Sequence, residues 1–255
     1  MHHAIVRKPT PNFGNGLTTS SLGAPNYERA LQQHEAYCRA LLVCGLELTH
    51  LETDERHPDA TFVEDTAVLF KDCAVVTLPG AASRVGEVET VAMALRQFFP
   101  KIERIQVPGT IDGGDVCEAD NHYFVGISER TNEAAAVQLK NLLASSGYGC
   151  SFVDIRGVAD ILHLKSGLAY LGDDRLAVVE SVASREEFRD YELIRVNPAE
   201  EYAANCVRVN DSILMAKGYP KFASTLAGLG YKTIELEMTE FQKMDGGLSC
   251  LSLRF

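Results

Sequence analysis

The stretch FVEDTAVLFKDCAVVTLPG, Phe62 to Gly80, sets the pattern for the whole chain. Its apolar run AVLF, the polar pair Lys71-Asp72 and the second run CAVV read as two short strands joined by a tight turn. Val85, Val88, Val91, Ala92, Leu95 and Phe99 then recur at helical spacing, and Pro100 closes that helix. The same order returns three times. GGDVCEADNHYFVGIS (Gly113–Ser128) leads into a helix ending near Leu143. LHLKSGLAYLGDDRLAVVES (Leu162–Ser181) precedes Ser184-Arg185-Glu186-Glu187, which has the form of a capping box. NCVRVNDSILMAKGYP (Asn205–Pro220) precedes a short helix over Phe222 to Leu229. Each hairpin turn carries Asp or Asn, at Lys71-Asp72, Ala119-Asp120-Asn121, Gly172-Asp173-Asp174 and Asn210-Asp211. These side chains tolerate the left-handed backbone that tight hairpins need.

Two strand-like pieces at the ends have no partner in this scheme, HHAIV at the start and GLSCLSLRF at the finish. A helix from Tyr27 to Cys44, stopped by Gly45, follows the first. Joining the two end pieces makes a fifth unit, split between the termini. The expected architecture is therefore α/β, with five strand-hairpin-plus-helix units around an axis. No linker interrupts them, so residues 1–255 are expected to form a single domain.

Composition narrows the function. The 255 residues are 46% apolar and 23% charged, which excludes disordered, collagen-like and coiled-coil chains. The net charge of −11 argues against nucleic acid or an anionic membrane as partner and is compatible with a small cationic ligand. Seven scattered cysteines form no C-x-x-C pair, so neither a disulfide framework nor a closed metal site is expected. No apolar stretch reaches the length of a membrane span, and the expected location is the cytoplasm.

Four stretches place reactive groups beside short strands or tight loops. Glu64 and Asp65 precede AVLF; Asp112-Gly113-Gly114-Asp115 precedes Val116; His163 lies in Ile161-Leu162-His163-Leu164; Cys250 ends Asp245-Gly246-Gly247-Leu248-Ser249-Cys250. Equivalent positions of a rotationally repeated fold converge on its axis, which would gather these groups. One thiol, one imidazole and several carboxylates suit nucleophilic attack on a guanidinium carbon. The carboxylates hold the cation by paired N–H···O bonds, the thiolate attacks and the imidazole moves protons.

FVEDTAVLF, IDGGDV, ILHLKSGLAYL, YAANCVRVN and DGGLSC, in this order, closely resemble the dimethylarginine dimethylaminohydrolase family of the guanidino-modifying, or pentein, superfamily. The resemblance runs from about Ile5 to Phe255. It implies a five-bladed αβ-propeller and hydrolysis of N-methylated arginine to citrulline plus methylamine or dimethylamine. It also implies a covalent thiouronium on Cys250 as nucleophile, with His163 as acid and then base, and no cofactor or metal. Asp112 stands where bacterial relatives often carry Glu, and its side chain is shorter by roughly 1.5 Å of reach. By the same resemblance Glu64 and Asp65 form the carboxylate pair of the guanidinium pocket. Asp59 and the Leu17 carbonyl contact the substrate amino group, Arg84 and Arg130 its carboxylate, and the Met244 carbonyl a further substrate atom. Gly16 to Gly23 matches a mobile lid.

Lys165 distinguishes branches of the superfamily. Arginine deiminases and amidinotransferases usually carry an acidic residue two places after the histidine, where it clamps unsubstituted guanidine nitrogens; this chain reads His-Leu-Lys. Three rivals stay open: a deiminase-like enzyme acting on arginine or another guanidine, a non-catalytic binding protein of the same fold, and adventitious zinc at the thiol. A homodimer is compatible with the sequence.

Overall fold

Fifteen short strands form five three-stranded sheets. The computed structural model describes residues Met1–Phe255. The chain divides into two compact units, one built from Asp65–Asn205 and the other from Met1–Glu64 with Cys206–Phe255.

With strands numbered in chain order, the Asp65–Asn205 unit holds three sheets. They are β3 (Ala67–Phe70), β4 (Cys73–Val76) and β5 (Lys101–Arg104); β6 (Val116–Ala119), β7 (His122–Ile127) and β8 (Gly149–Asp154); and β9 (Leu168–Gly172), β10 (Arg175–Val178) and β11 (Glu192–Arg195). In each, the first two strands form an antiparallel hairpin, and the third returns parallel to the middle one. A parallel return needs a crossover, so an α-helix lies between middle and third strands in two of them. These are α2 (Val88–Leu95) and α3 (Glu133–Ser145). Val68, Val75, Ile111, Val125 and Leu139 belong to the apolar core packed between these elements.

The other unit repeats the arrangement. β12 (Val207–Val209), β13 (Ser212–Ala216) and β14 (Lys232–Leu236) make one sheet, with α4 (Pro220–Gly228) in the crossover. In the last sheet β1 (His3–Arg7) lies between β15 (Ser252–Arg254), antiparallel, and β2 (Glu47–Leu51), parallel. Ala4 faces Arg254 on one side and Leu48 on the other, so the fifth unit is split between the termini as the repeat requires. Its crossover helix, α1 (Tyr27–Val43), is capped by Asn26 Oδ1, which accepts the Arg29 N–H at 2.9 Å. The rings of Phe13, Phe62 and Phe241 meet with centroids 5.5 to 6.3 Å apart.

The hairpin turns adopt the backbone expected of them. Lys71, Asp120, Asp173, Asp174 and Asn210 all have φ between 44° and 55°. An L-residue there costs roughly 1–2 kcal/mol, least for Asp and Asn, which can bond their own main chain.

Two local expectations are corrected. The helix anticipated over Val85–Phe99 is α-helical only from Val88 to Leu95, and Ala82–Glu87 is a 3-10 turn. That turn buries Arg84 and Glu87 as a pair and leaves Val85 41% exposed, so the periodicity did not follow one face. The Ser184 capping box does not form. Only a 3-10 turn, Glu186–Phe188, stands there, with Arg185 at its N-cap and no side-chain cap. Phe188 is the one residue of that turn to be buried, too little apolar surface to support a longer helix. No helix of the chain is long and apolar enough to cross a membrane.

Candidate active site

His163 ends an irregular segment and opens the 3-10 turn Leu164–Ser166. Its backbone is clamped at both ends, because its N–H donates to Ser166 Oγ at 3.3 Å and its carbonyl accepts the Ser166 N–H at 2.9 Å. The ring is buried, and Nε2 lies 3.0 Å from Asp112 Oδ2. Asp112 precedes the Gly113–Asp115 turn and is fully buried. Its other oxygen accepts the Gly80 N–H at 2.9 Å, and Arg130 Nη1 stands 3.7 Å from Oδ2. The shorter aspartate therefore reaches the imidazole directly. Burial by itself pushes the His163 pKa down, but Asp65, the hydrogen-bonded Asp112 and Asp115 outweigh it and raise it to about 9. The surrounding carboxylates thus favour the charged imidazole.

Asp65 closes the other side of this group. Its Oδ2 accepts from Arg84 Nη1 at 2.6 Å, and its Oδ1 accepts the Gly114 N–H at 2.9 Å. Burial opposes its ionisation, yet the His163 and Arg84 cations hold its carboxyl below the usual range. Gly114 is fixed by this packing. A Cβ there would come within 2.8 Å of both Asp65 Oδ1 and His163 Nδ1. Arg84 is buried, and Glu87 takes its Nε and Nη2 at 2.8 to 3.2 Å.

In the other unit, Cys250 sits in the 3-10 turn Ser249–Leu251 that leads into β15, and is 8% exposed. The Gly247 N–H points at its Sγ from 3.5 Å. Arg254 ties this turn down, donating from Nη1 to the Ser249 carbonyl at 3.1 Å and from Nη2 to Glu64 Oε1 at 3.0 Å. A second cluster gathers Gly16, Leu17, Asp59 and Met244. Both oxygens of buried Asp59 accept the Leu17 N–H at 3.1 Å. A Cβ on Gly16 would collide with Asp59 Oδ1 and lie 3.3 Å from Met244 Cε. Farther along the expected lid, Thr18 Oγ1 donates to the Lys243 carbonyl at 2.9 Å. The Thr19 N–H and hydroxyl donate to Asp245 Oδ2 at 2.5 and 3.0 Å.

The structure thus brings His163, Asp112, Asp65, Arg84 and Arg130 together in one unit, and Leu17, Asp59 and Met244 in the other. Glu64 and Asp65 do not act on one partner. They are consecutive in the 3-10 turn Val63–Thr66, where neighbouring side chains diverge, so Glu64 meets Arg254 while Asp65 meets Arg84. Asp65, Asp112 and His163 could offer a metal ion three ligand atoms within 4.8 Å of one another. In this structure Arg84 pairs with Asp65 and the His163 imidazole with Asp112. Lys165 lies in the turn after His163, its carbonyl held by Asn205 Nδ2 at 3.0 Å. Sequence reading overlooked Glu87 and Arg254. The i,i+3 spacing from Arg84 was a signal for Glu87; nothing local marked Arg254.

No family model matches the chain. N(G),N(G)-dimethylarginine dimethylaminohydrolase of Pseudomonas aeruginosa is 44% identical over 254 residues, 99% of each chain. The enzyme of the same name from Streptomyces coelicolor is 34% identical over 253 residues, 98% of this chain and 96% of that one. The Pseudomonas aeruginosa structure, a cysteine-to-serine variant complexed with citrulline, superposes with a TM-score of 0.96 at 43% identity, covering 100% of this chain and 99% of that one. The N-terminal domain of ArgZ shares the fold at 19% identity, with a TM-score of 0.86 over 99% and 97% of the two chains. The five sheets and these superpositions define a pentein-fold hydrolase, the five-bladed αβ-propeller class. Within that class, the chain belongs to the N(G),N(G)-dimethylarginine dimethylaminohydrolase family.

Proposed function

We propose that this protein hydrolyses N-omega-methylated L-arginine to L-citrulline and dimethylamine or methylamine, with residues 1–255 serving as one catalytic domain in the cytoplasm. The observation that carries the reading is the buried His163 imidazole, its Nε2 3.0 Å from Asp112 Oδ2, with Asp65 and Asp112 favouring its charged form. A proton donor poised in its charged form is what expulsion of an amine needs. Two relatives' structures support the same chemistry: one is complexed with citrulline, and a histidine-to-glycine variant is an adduct with S-methyl-L-thiocitrulline.

Cys250 supplies the nucleophile. Its thiolate adds to the guanidinium carbon, and the C–N bond to the methylated nitrogen breaks as His163 donates a proton to the departing amine. A covalent thiouronium remains on sulfur. The now neutral His163 takes a proton from water as that water adds to the same carbon. Collapse then breaks the C–S bond and returns the thiolate, and the hydroxyl proton passes to the released amine, leaving citrulline. Asp65, with Glu64 beside it, takes guanidinium N–H donors, Asp59 and the Leu17 carbonyl hold the amino end, the Met244 carbonyl meets a further substrate atom, and Arg84 with Arg130 takes the carboxylate. Glu64 contributes through Arg254, which holds the Ser249 carbonyl beside Cys250.

Purified protein incubated separately with asymmetric dimethylarginine, monomethylarginine and arginine should release citrulline from the methylated substrates faster than from arginine. The Cys250→Ser variant should release none. Faster turnover of arginine would transfer the reading to a deiminase, and no turnover of any guanidine would end the enzymatic one.

A further inference from the structure

Asp115 is buried without exposure inside the His163 unit, and the proposed reaction gives it no task. Its three hydrogen bonds run to three parts of the site. Oδ1 accepts the N–H of Leu164, the residue after His163, at 2.9 Å. Oδ2 accepts the hydroxyls of Ser128 and Thr131, both at 2.6 Å.

Donor accounting fixes the direction of this network. Ser128 Oγ accepts the N–H groups of Arg130 and Thr131 at 3.0 and 3.1 Å, so its single hydrogen goes to Asp115. Thr131 Oγ1 accepts the Asp112 N–H at 3.2 Å, so its hydrogen goes there too. Backbone amides of Arg130, Thr131 and Asp112 are thus linked through two hydroxyls to one carboxylate, which also holds the residue beside His163. Room for it is made at Gly126, where a Cβ would lie 2.9 Å from Asp115 Oδ1 and 2.9 Å from Leu164 Cβ.

We propose that Asp115 is the positioning residue of this site, setting His163, Asp112 and Arg130 in register through Leu164, Thr131 and Ser128. The proposal deepens the function above, because it rests on His163 as the group that moves protons. Asp115 also adds a third negative charge to those facing the imidazole, beside Asp65 and Asp112. Arg84 pairs with Asp65, Arg130 lies near Asp112, and Lys165 is two residues along from His163. A buried carboxylate that accepts only uncharged donors carries a desolvation cost that an apolar side chain would not. The geometry places what it gains in return at the proton-transfer group.

The test uses the full chain with Asp115→Asn. The amide keeps one acceptor and turns its NH2 either on the two hydroxyls or on the Leu164 N–H, so one side of the network meets donor against donor and kcat on dimethylarginine should fall about 10- to 100-fold. KM should rise as well, since Arg130, which takes the substrate carboxylate, is one of the groups held in register through Ser128. Thr131→Val should reproduce part of the loss, and Thr131→Ser, which keeps the hydroxyl, should restore it. Independently of turnover, the NMR titration midpoint of the His163 imidazole should move down in Asp115→Asn. A folded Asp115→Asn with unchanged kcat and an unchanged His163 midpoint would overturn the proposal. If Asp115→Asn does not fold, Thr131→Val and Ser128→Ala are read by the same two measurements, and no change in either is equally fatal. If the wild-type chain turns over no guanidine, the catalytic reading fails by itself, while the imidazole titration still decides the role of Asp115.

Discussion

Asp112 joins two elements at once, with one carboxylate oxygen 3.0 Å from His163 Nε2 and the other 2.9 Å from the Gly80 N–H. It therefore fixes the ring and stabilises its charge from a point that is itself immobilised. Asp112→Asn keeps the shape and removes the charge. The variant should lose about 10²- to 10⁴-fold in kcat, the range attached to a positioned acid–base group, and citrulline release at saturating dimethylarginine measures it. A loss below threefold would show that the charge of Asp112 is not needed.

The raised pKa of His163 also makes a statement about stability. A histidine whose folded pKa lies above its unfolded value of 6.5 stabilises the fold fully below pH 6.5. That contribution is lost as pH rises through the folded value of about 9. Comparing thermal unfolding of wild type and His163→Gln isolates the effect from other groups that ionise in the same range. The stability difference between them should be largest near pH 6 and shrink between pH 6.5 and 9. A difference that stayed constant, or grew, would contradict the assigned charge state.

How legible all this was depends on the range over which each feature is determined. The hairpins were readable because Asp120, Asp173, Asp174 and Asn210 encode left-handed turns locally. His163 stood out as a polar residue among aliphatics, and Asp112 and Cys250 by adjacent glycines whose close packing the structure shows at Gly114. What escaped was set by tertiary partners. Val85 to Phe99 has helical periodicity, yet burial of the Arg84–Glu87 pair turned its first part into a 3-10 helix. Arg254 looks like the polar end of a strand, and only the approach of Glu64, 190 positions away, reveals its task.

That Arg254–Glu64 pair is largely shielded from solvent, with side chains 12% and 5% exposed. Removing one partner leaves the other charge uncompensated, a loss of about 3–5 kcal/mol. Glu64→Ala should lower the urea-unfolding free energy by that order. Glu64→Gln, which keeps an acceptor for Arg254, should lose clearly less. Equal stability of Glu64→Ala and wild type would mean that the pair is not formed in solution.

The segment after Gly16 has its anchor in Asp245, whose Oδ2 takes both the N–H and the hydroxyl of Thr19. These contacts are exposed to solvent and so are worth little to global stability, but they decide how often the segment opens. Asp245→Ala should raise amide hydrogen exchange over residues 17–21 while the rest of the chain keeps its protection. If the segment covers bound substrate, KM for dimethylarginine rises in the same variant. Unchanged exchange would show that the hold on this segment comes instead from Asp59, which accepts the Leu17 N–H with both oxygens.

Gly114 offers the most direct steric test of the site. Asp65 Oδ1 and His163 Nδ1 close on the place where a side chain would begin, each 2.8 Å from the position a methyl carbon would take and well inside ordinary contact distance. Neither neighbour can retreat easily, since Asp65 is held by Arg84 and His163 by Asp112. Gly114→Ala should therefore push the imidazole and carboxylate apart rather than simply unfold the chain. A displacement near 1 Å at a reacting group costs on the order of 10²-fold in rate. The expected result is a folded protein with kcat reduced by about that factor, read from citrulline release together with a thermal melt. Full activity in Gly114→Ala would mean that the packing of Asp65 against His163 is looser than the geometry describes.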